Sequence, residues 1–299
     1  MSNQTEQLAA QFKALADPVR MRLVALCRQG ECSVSELTQV VGLSQPRVSQ
    51  HLKRLCEAGI LERFRDGQWV FYRVPVHGDE AAARRRLLEL IPDEDAVFQN
   101  DLARLQEYRG ERVADSGTDV GTERPGDRAL HKALLELTVT AHLGDLLDVG
   151  CGRGRILKLL ASRANRAVGV DIDSDARRLA RAELMLAGLP NCSLRRGDMY
   201  RLPFGDADFD TIILDDVLAD ARHPVRVLTE ARRLLRAGGR LFVLLAVSDR
   251  SPTELQSQLA AWSATAGLRL APARLAPRID PQWLLSVATV SDRQRSAAA

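Results

Sequence analysis

Apolar positions change their spacing along the chain, and the order of those changes divides it. Over residues 3–57 they recur at helical intervals in four blocks, which predicts four helices. Residues 60–74 alternate instead: "ILERFR" and "QWVFYRV" have a period near two, and Asp66-Gly67 between them predicts a two-residue hairpin turn. Two more helical stretches follow, "DEAAARRRLLELI" at 79–91 and "AVFQNDLARLQEYR" at 96–109, parted by Pro92 and its acidic neighbours. The pattern then fails. "GERVADSGTDVGTERPGD", 110–127, is polar, carries Gly and Pro and has no period, so it predicts a linker. From residue 128 onward short apolar strands alternate with helices, the pattern of an α/β domain.

Helices followed by a two-stranded wing describe a mostly helical winged helix-turn-helix domain over 1–78, a helical segment and linker over 79–127, and a second domain over 128–299. In "SELTQVVGLSQPRVSQHLKRLCEAG" the first helix ends at Gly42 and the next starts at Ser44, with Pro46 near its first position, the residues expected at a helix start. Val48, Leu52 and Leu55 share one face of that helix, which leaves Gln50 and Lys53 opposite and Arg47, Ser49 and Arg54 on the flanks. Arg and Gln can form paired hydrogen bonds with base edges, so this face has the chemistry of major-groove reading. Residues 8–75 resemble the ArsR class of winged-helix regulators, through "FKALADPVRMRLVALC", "LSQPRVSQHL" and "RDGQWVFYRV" in order. The resemblance implies a homodimer, paired through the first helix and the helices after the wing, on a two-fold double-stranded operator. It carries DNA contact onto Ser44, Gln45, Arg47, Ser49, Gln50, His51, Lys53 and Arg54, with Arg65 on the wing. His51 reads equally well as a helix-packing residue. Residues 1–75 hold ten basic against seven acidic side chains, a modest excess that leaves affinity to dimerisation and local clustering.

Members of that class that bind metalloids carry two cysteines in the third helix; here the segment is "ECSVSEL", with Ser33 and Ser35 at those places. Hydroxyls are poor ligands for a soft ion that needs thiolates. A site built on Cys27 and Cys32 would need a third ligand that the sequence does not offer. No metal is expected, and the signal this reader responds to must come from elsewhere.

"LLDVGCGRGRIL", 146–157, reads as a strand, a glycine turn and a helix. Glycines there let backbone approach a ligand closely. A dinucleotide fold wants G-x-G-x-x-G, yet counting from Gly150 the last position is Arg155. "AVGVDID" then ends a second strand with Asp171, near the roughly 20-residue offset at which an acidic side chain meets ribose hydroxyls. With "RRGDMYRLPFGDADFDTIILDDVL" and "EARRLLRAGGRLFVLLAV" as further strands, residues 128–290 resemble class I S-adenosylmethionine (SAM) dependent methyltransferases. The resemblance implies a doubly wound, Rossmann-like, seven-strand sheet, in which "GLRLAPARLA" and "QWLLSVATV" form a reverse-running pair beside the parallel set. It places Asp148 at the methionine ammonium and Gly150, Cys151, Gly152 and Gly154 beneath the methionine moiety. Asp171 falls at the ribose, Ile172 against adenine, Asp198 and Met199 at the adenine edge, and Asp215 at the end of the fourth strand.

Composition narrows the picture rather than reversing it. A chain of 299 residues suits two domains, and its longest clean apolar run, "LFVLLAV", is far short of the ~20 residues of a membrane span. The opening residues lack a secretory pattern and the five cysteines form no C-x-x-C pair, so a cytoplasmic protein is expected. The net charge is +3, and 38 of 42 basic residues are arginine, a chain-wide bias that makes any one Arg weak evidence for phosphate binding. Asp215, Asp216, Asp220 and His223 are the candidates for a proton acceptor near the turn, and none is assigned a catalytic role. An ArsR-like reader without its thiols, joined to a pocket for SAM or S-adenosylhomocysteine (SAH), resembles the SAH-responsive repressors of methionine-cycle genes. Sensing is therefore the expectation. The alternatives are a methyltransferase on a small molecule with a fused regulatory domain, and a thiol-based redox or metalloid repressor working through Cys27 and Cys32.

Overall fold

In the computed structural model of the chain, residues 4–75, 81–115, 126–139, 142–247 and 250–290 are described. They fall into two compact units: one takes residues up to 115 together with 181–190, and the other takes the rest.

In the first unit the helical blocks become α1 (Gln4–Leu15), α2 (Pro18–Arg28), α3 (Val34–Val41) and α4 (Gln45–Glu57). Each boundary has a local cause. Asp17 caps α2 by accepting from the Arg20 amide at 3.0 Å. Ser33 and Glu36 form a reciprocal capping box on α3, with the Ser33 amide donating to Glu36 Oε2 at 2.6 Å. Gly42 ends α3 at φ +73°, a left-handed turn that favours glycine, and Ser44 opens α4 in extended backbone. Val48, Leu52 and Leu55 are fully buried against Leu23, Val24 and Leu37, so α4 packs on the face its period marks. Replacing Ser33 with Ala is expected to cost about 1 kcal/mol in chemical denaturation. Ser35→Ala, at an exposed position on the same helix, is expected to stay within about 0.5 kcal/mol.

The wing pairs β2 (Glu62–Asp66) with β3 (Trp69–Arg73), and a short β1 (Cys32–Ser33), absent from the sequence-based reading, pairs with β3 on its other side. Asp66 faces Trp69 in the ladder, so the turn residues are Gly67, at φ +61°, and Gln68 rather than Asp66-Gly67. α5 (Ala81–Leu88) falls inside the helix predicted for 79–91, whose first two residues lie outside the described ones. α6 (Ala96–Asp115) runs six residues past the predicted end at 109, through Gly110 and into the predicted linker. The rest of that linker, up to residue 125, lies outside the described residues. Arg22 grips buried Asp101 with two hydrogen bonds of 2.6 and 2.7 Å, fastening α2 to α6.

The second unit opens with α7 (Asp127–Thr138). Its strands and helices then follow in order: β4 (Asp145–Val149), α8 (Arg155–Leu160), β5 (Arg166–Asp171), α9 (Ser174–Leu186, whose residues from 181 on count with the first unit), β6 (Cys192–Arg196), β7 (Phe209–Asp215), α10 (Pro224–Leu234) and β8 (Leu235–Ala246). The chain continues through α11 (Pro252–Thr265), β9 (Leu268–Leu270), β10 (Arg274–Ala276) and β11 (Trp283–Val290). The sheet has eight strands, in the order β10-β11-β8-β7-β4-β5-β6, with β9 also on β11. β4 to β8 are mutually parallel and β11 runs against β8. Two details differ from expectation. "GLRLAPARLA" gives two short strands, and only β11 is reversed against the parallel set, since β9 and β10 are antiparallel to β11 itself. Near-continuous apolar stretches such as Leu146–Val149, Ala167–Val170 and Leu241–Leu245 are buried, as strands covered on both faces require. At the N-terminal ends of the strands Asp145, Asp208 and Asp210 interleave with Arg166 and Arg236, which leaves the opposite, carboxyl ends to carry a site.

Candidate functional site

From β4 the chain winds outward through β5 and β6, then returns to place β7 on the other flank of β4. The direction of winding reverses at β4, and a crevice opens at the carboxyl end of such a strand. The glycine turn leaves β4 at that point. Gly150, Gly152 and Gly154 all have positive φ, between 50° and 78°, so each position favours glycine on backbone grounds alone. Gly150 is also hemmed in, since a Cβ there would come 2.5 Å from Val217 Cγ2, whereas Gly152 faces open space. The turn is held to β5 by the Gly150 and Cys151 amides, which donate to the Val170 carbonyl at 2.7 and 3.0 Å. Cys151 is buried beneath it.

Asp171, at the end of β5, is fixed from two sides. Gly152 N donates to its Oδ2 at 2.8 Å and Asp173 N to its Oδ1 at 2.9 Å. Each carboxylate oxygen retains a lone-pair direction, and the group is half exposed, so it can accept from two neighbouring hydroxyls. Ile172 beside it is 67% exposed, unusual for a large apolar side chain and suited to cover a flat ring. Asp198, exposed after β6, accepts from the Tyr200 amide at 3.0 Å, and Met199 is half-buried against the core.

Asp148 is different in kind. It is wholly buried one residue before the end of β4, and neither carboxylate oxygen has a hydrogen-bond partner. Burial, with the charges of Asp215 and Asp171 adding and that of Arg155 opposing, pushes its carboxyl well above the ordinary range. A buried acceptor without a donor is rare and costly, and a cationic donor is what would satisfy it. Arg155 is already committed elsewhere. It donates to Asp127 at 2.5 Å and to both oxygens of Asp215 at 2.7 and 2.8 Å, and its guanidinium lies 5.0 Å from the Trp283 ring centroid. Asp215 thus stands beside the turn as Arg155's partner. The roles of Asp127 and Trp283 carry no sequence signal, because each depends on which strand ends and helices meet. Of the candidates for a proton acceptor, Asp216 at φ +61° accepts from the Ala246 amide at 2.9 Å, and Asp220 and His223 are exposed.

On the first unit, α4 turns Ser44, Gln45, Arg47, Gln50, Lys53 and Arg54 outward, with Ser49 half-buried. His51 is half-buried with Nδ1 3.7 Å from an Asp17 carboxylate oxygen, a placement closer to helix packing than to a free contact surface. On β2 the exposed Arg63 and Arg65 alternate with Phe64 and Asp66, so Arg65 lies on the outer face of the wing. Ser33 is occupied as the cap of α3. Cys27 and Cys32 are buried together, and the hydrogen bond between them, followed by burial, pushes the Cys27 thiol well up, away from the thiolate a soft ion needs. Among the described residues no group of three or more His, Cys, Asp or Glu side chains is placed to hold a metal ion, and no helix is long and apolar enough to cross a membrane.

Residues 17–63 match the family model described as bacterial regulatory protein, arsR family, and residues 147–243 match that of a methyltransferase domain. Over 64 residues the chain is 55% identical to the arsenic resistance transcriptional regulator of Pseudomonas putida, covering 21% of this chain and 50% of that protein. Over 84 residues it is 38% identical to the biofilm growth-associated repressor of Agrobacterium fabrum, covering 28% of this chain and 69% of the repressor. A SAM-dependent methyltransferase from Aquifex aeolicus is similar in structure, with a TM-score of 0.48 and 18% identity over 60% of this chain and 96% of that one. The chain thus spans half the length of the arsenic regulator it matches.

Proposed function

Because the chain belongs to the bacterial arsR regulatory family and carries a methyltransferase domain after its helix-turn-helix, we propose that it is a DNA-binding transcriptional repressor whose second domain takes SAM or SAH as effector. The observation that carries this reading is Asp148, a buried carboxyl without a donor, under a glycine turn whose neighbour Asp171 is set to accept from two hydroxyls. Both ligands bring an ammonium, a ribose and an adenine, and the residues present fit all three parts: Asp148, Asp171, and Ile172 with Asp198 and Met199. The DNA-reading face is that of α4, with Arg65 on the wing, in a homodimer on a two-fold operator.

An effector must favour one state of the dimer, and about 3 kcal/mol of coupling changes operator affinity roughly a hundredfold. Fluorescence anisotropy of a labelled duplex taken from immediately upstream of the chain's own coding sequence, with SAM, with SAH and with neither, tests this. The expected result is that one ligand shifts the affinity by tenfold or more. Binding of neither ligand in calorimetry, or binding of both without any change in DNA affinity, sinks the reading. Conversion of SAM to SAH in the presence of cell extract, lost in Asp171→Ala, would make the second domain an enzyme instead.

A further inference from the structure

The first unit is completed by a residue from far along the sequence. Arg181, on α9, belongs to it and is buried there among the side chains of the wing. Its Nε donates to Glu31 Oε2 at 2.7 Å, and its Nη2 lies 2.7 Å from Asp66 Oδ2. Its guanidinium carbon Cζ lies 4.1 Å from the Phe71 ring centroid, and Phe71 in turn stacks on Phe64 at 5.7 Å. Arg73 closes the cluster from the other side, donating to Glu31 Oε1 at 3.0 Å and to Glu62, with its guanidinium 5.1 Å from the Phe64 centroid.

This cluster bears on a weak place in the fold. Among the described residues β2 pairs with β3 alone, whereas β3 is also paired to β1 and buries Phe71 and Tyr72, so β2 is the outer strand of the wing and the one with the least support from the sheet. The inward side chains of β2, Phe64 and Asp66, are the ones Arg181 reaches, while Arg65 between them faces out. We propose that Arg181 is a positioning residue for DNA binding: by gripping Asp66 and covering Phe71 it fixes the wing so that the neighbouring Arg65 meets a phosphate. This rests on the DNA-reading part of the function proposed above, and not on its effector.

The test uses the full chain without SAM or SAH and a random-sequence duplex of about 30 base pairs, because each phosphate contact contributes about 0.9 to the slope of log K against log salt. Because the dimer presents one Arg65 from each subunit, Arg65→Ala is expected to lower that slope by about 1.8, and Arg181→Gln, which leaves Arg65 in place, by nearly as much. The double variant is expected to fall no further, since both substitutions remove the same contact in each subunit. Hydrogen exchange at the amides of residues 64–70 should quicken at least tenfold in Arg181→Gln while those of 48–55 in α4 keep their protection. A fall in slope for Arg65→Ala without one for Arg181→Gln overturns the role of Arg181. Equal slopes in the unaltered chain and Arg65→Ala overturn the role as well, and trace the failure to the assignment of the wing as a DNA contact. If Arg181→Gln does not fold, Arg181→Lys carries the same comparison: it keeps the charge but loses the fork to two carboxylates and the guanidinium over Phe71, and an intermediate slope is expected.

Discussion

Asp171→Ala is expected to weaken binding of SAM and SAH about a hundredfold or more and to abolish any effect of either on DNA binding, while ligand-free DNA affinity stays as it was. The size follows from what the carboxylate does. Two hydrogen bonds to a charged acceptor are worth about 1.5 kcal/mol each at the low end, and every 1.4 kcal/mol or so is tenfold in affinity. A second loss adds to the first. The Gly152 and Asp173 amides, which now hold the carboxylate at 2.8 and 2.9 Å, would be left without their acceptor, loosening a turn whose three glycines already sit at positive φ. Calorimetric titration measures the affinity directly, and the rise in Tm that saturating ligand gives the unaltered chain should vanish in the variant. An unchanged Kd would remove Asp171 from the site and, with it, the placing of ribose at the end of β5.

Wherever one local rule decides an element, the sequence alone is enough to place it. The buried face of α4 is visible because Val48, Leu52 and Leu55 obey one period and nothing competes with it. The glycine turn and Asp171 are visible because strand, turn and acidic residue keep a fixed order along the chain. The extension of α6 past residue 109 lies in a polar stretch without hydrophobic period, so no pattern marks it as helix, although Gly110 inside it costs only about 1 kcal/mol and nothing crowds it. The shift of the wing turn by one residue is a matter of register, which ladder pairing settles rather than composition. Arg155 shows the other limit. Its place in the turn could be counted along the sequence, but its grip on Asp127 and Asp215 and its stack on Trp283 join four separate elements. Arg181 is the extreme case, because its partner Glu31 stands 150 residues away.

Asp148→Asn is expected to move stability and binding in opposite directions, a combination that a merely damaged fold does not produce. In the ligand-free protein the carboxyl is buried without a donor and its pKa lies well above the ordinary value, because of burial first and then the charges of Asp215 and Asp171. The unfolded chain gives up that proton near pH 3.9 and the folded chain keeps it to higher pH. Between those two points the folded state holds more protons, so its stability falls as pH rises. Asn keeps the volume and cannot ionise, so the variant should unfold at a higher Tm than the unaltered chain, with a gap that widens from pH 5 to pH 8. Binding should do the reverse. Losing one partner of a buried charge pair costs about 2 kcal/mol or more, so affinity for SAM and SAH is expected to drop about thirtyfold at least. Saturating ligand supplies the missing cation, draws the carboxyl back toward its ionised form and flattens the pH slope of the unaltered chain. Scanning calorimetry at pH 5 to 8, with and without ligand, reads all three effects. A Tm difference that does not change with pH, or an Asn variant that binds as tightly as the original, would leave the buried carboxyl without the ammonium assigned to it.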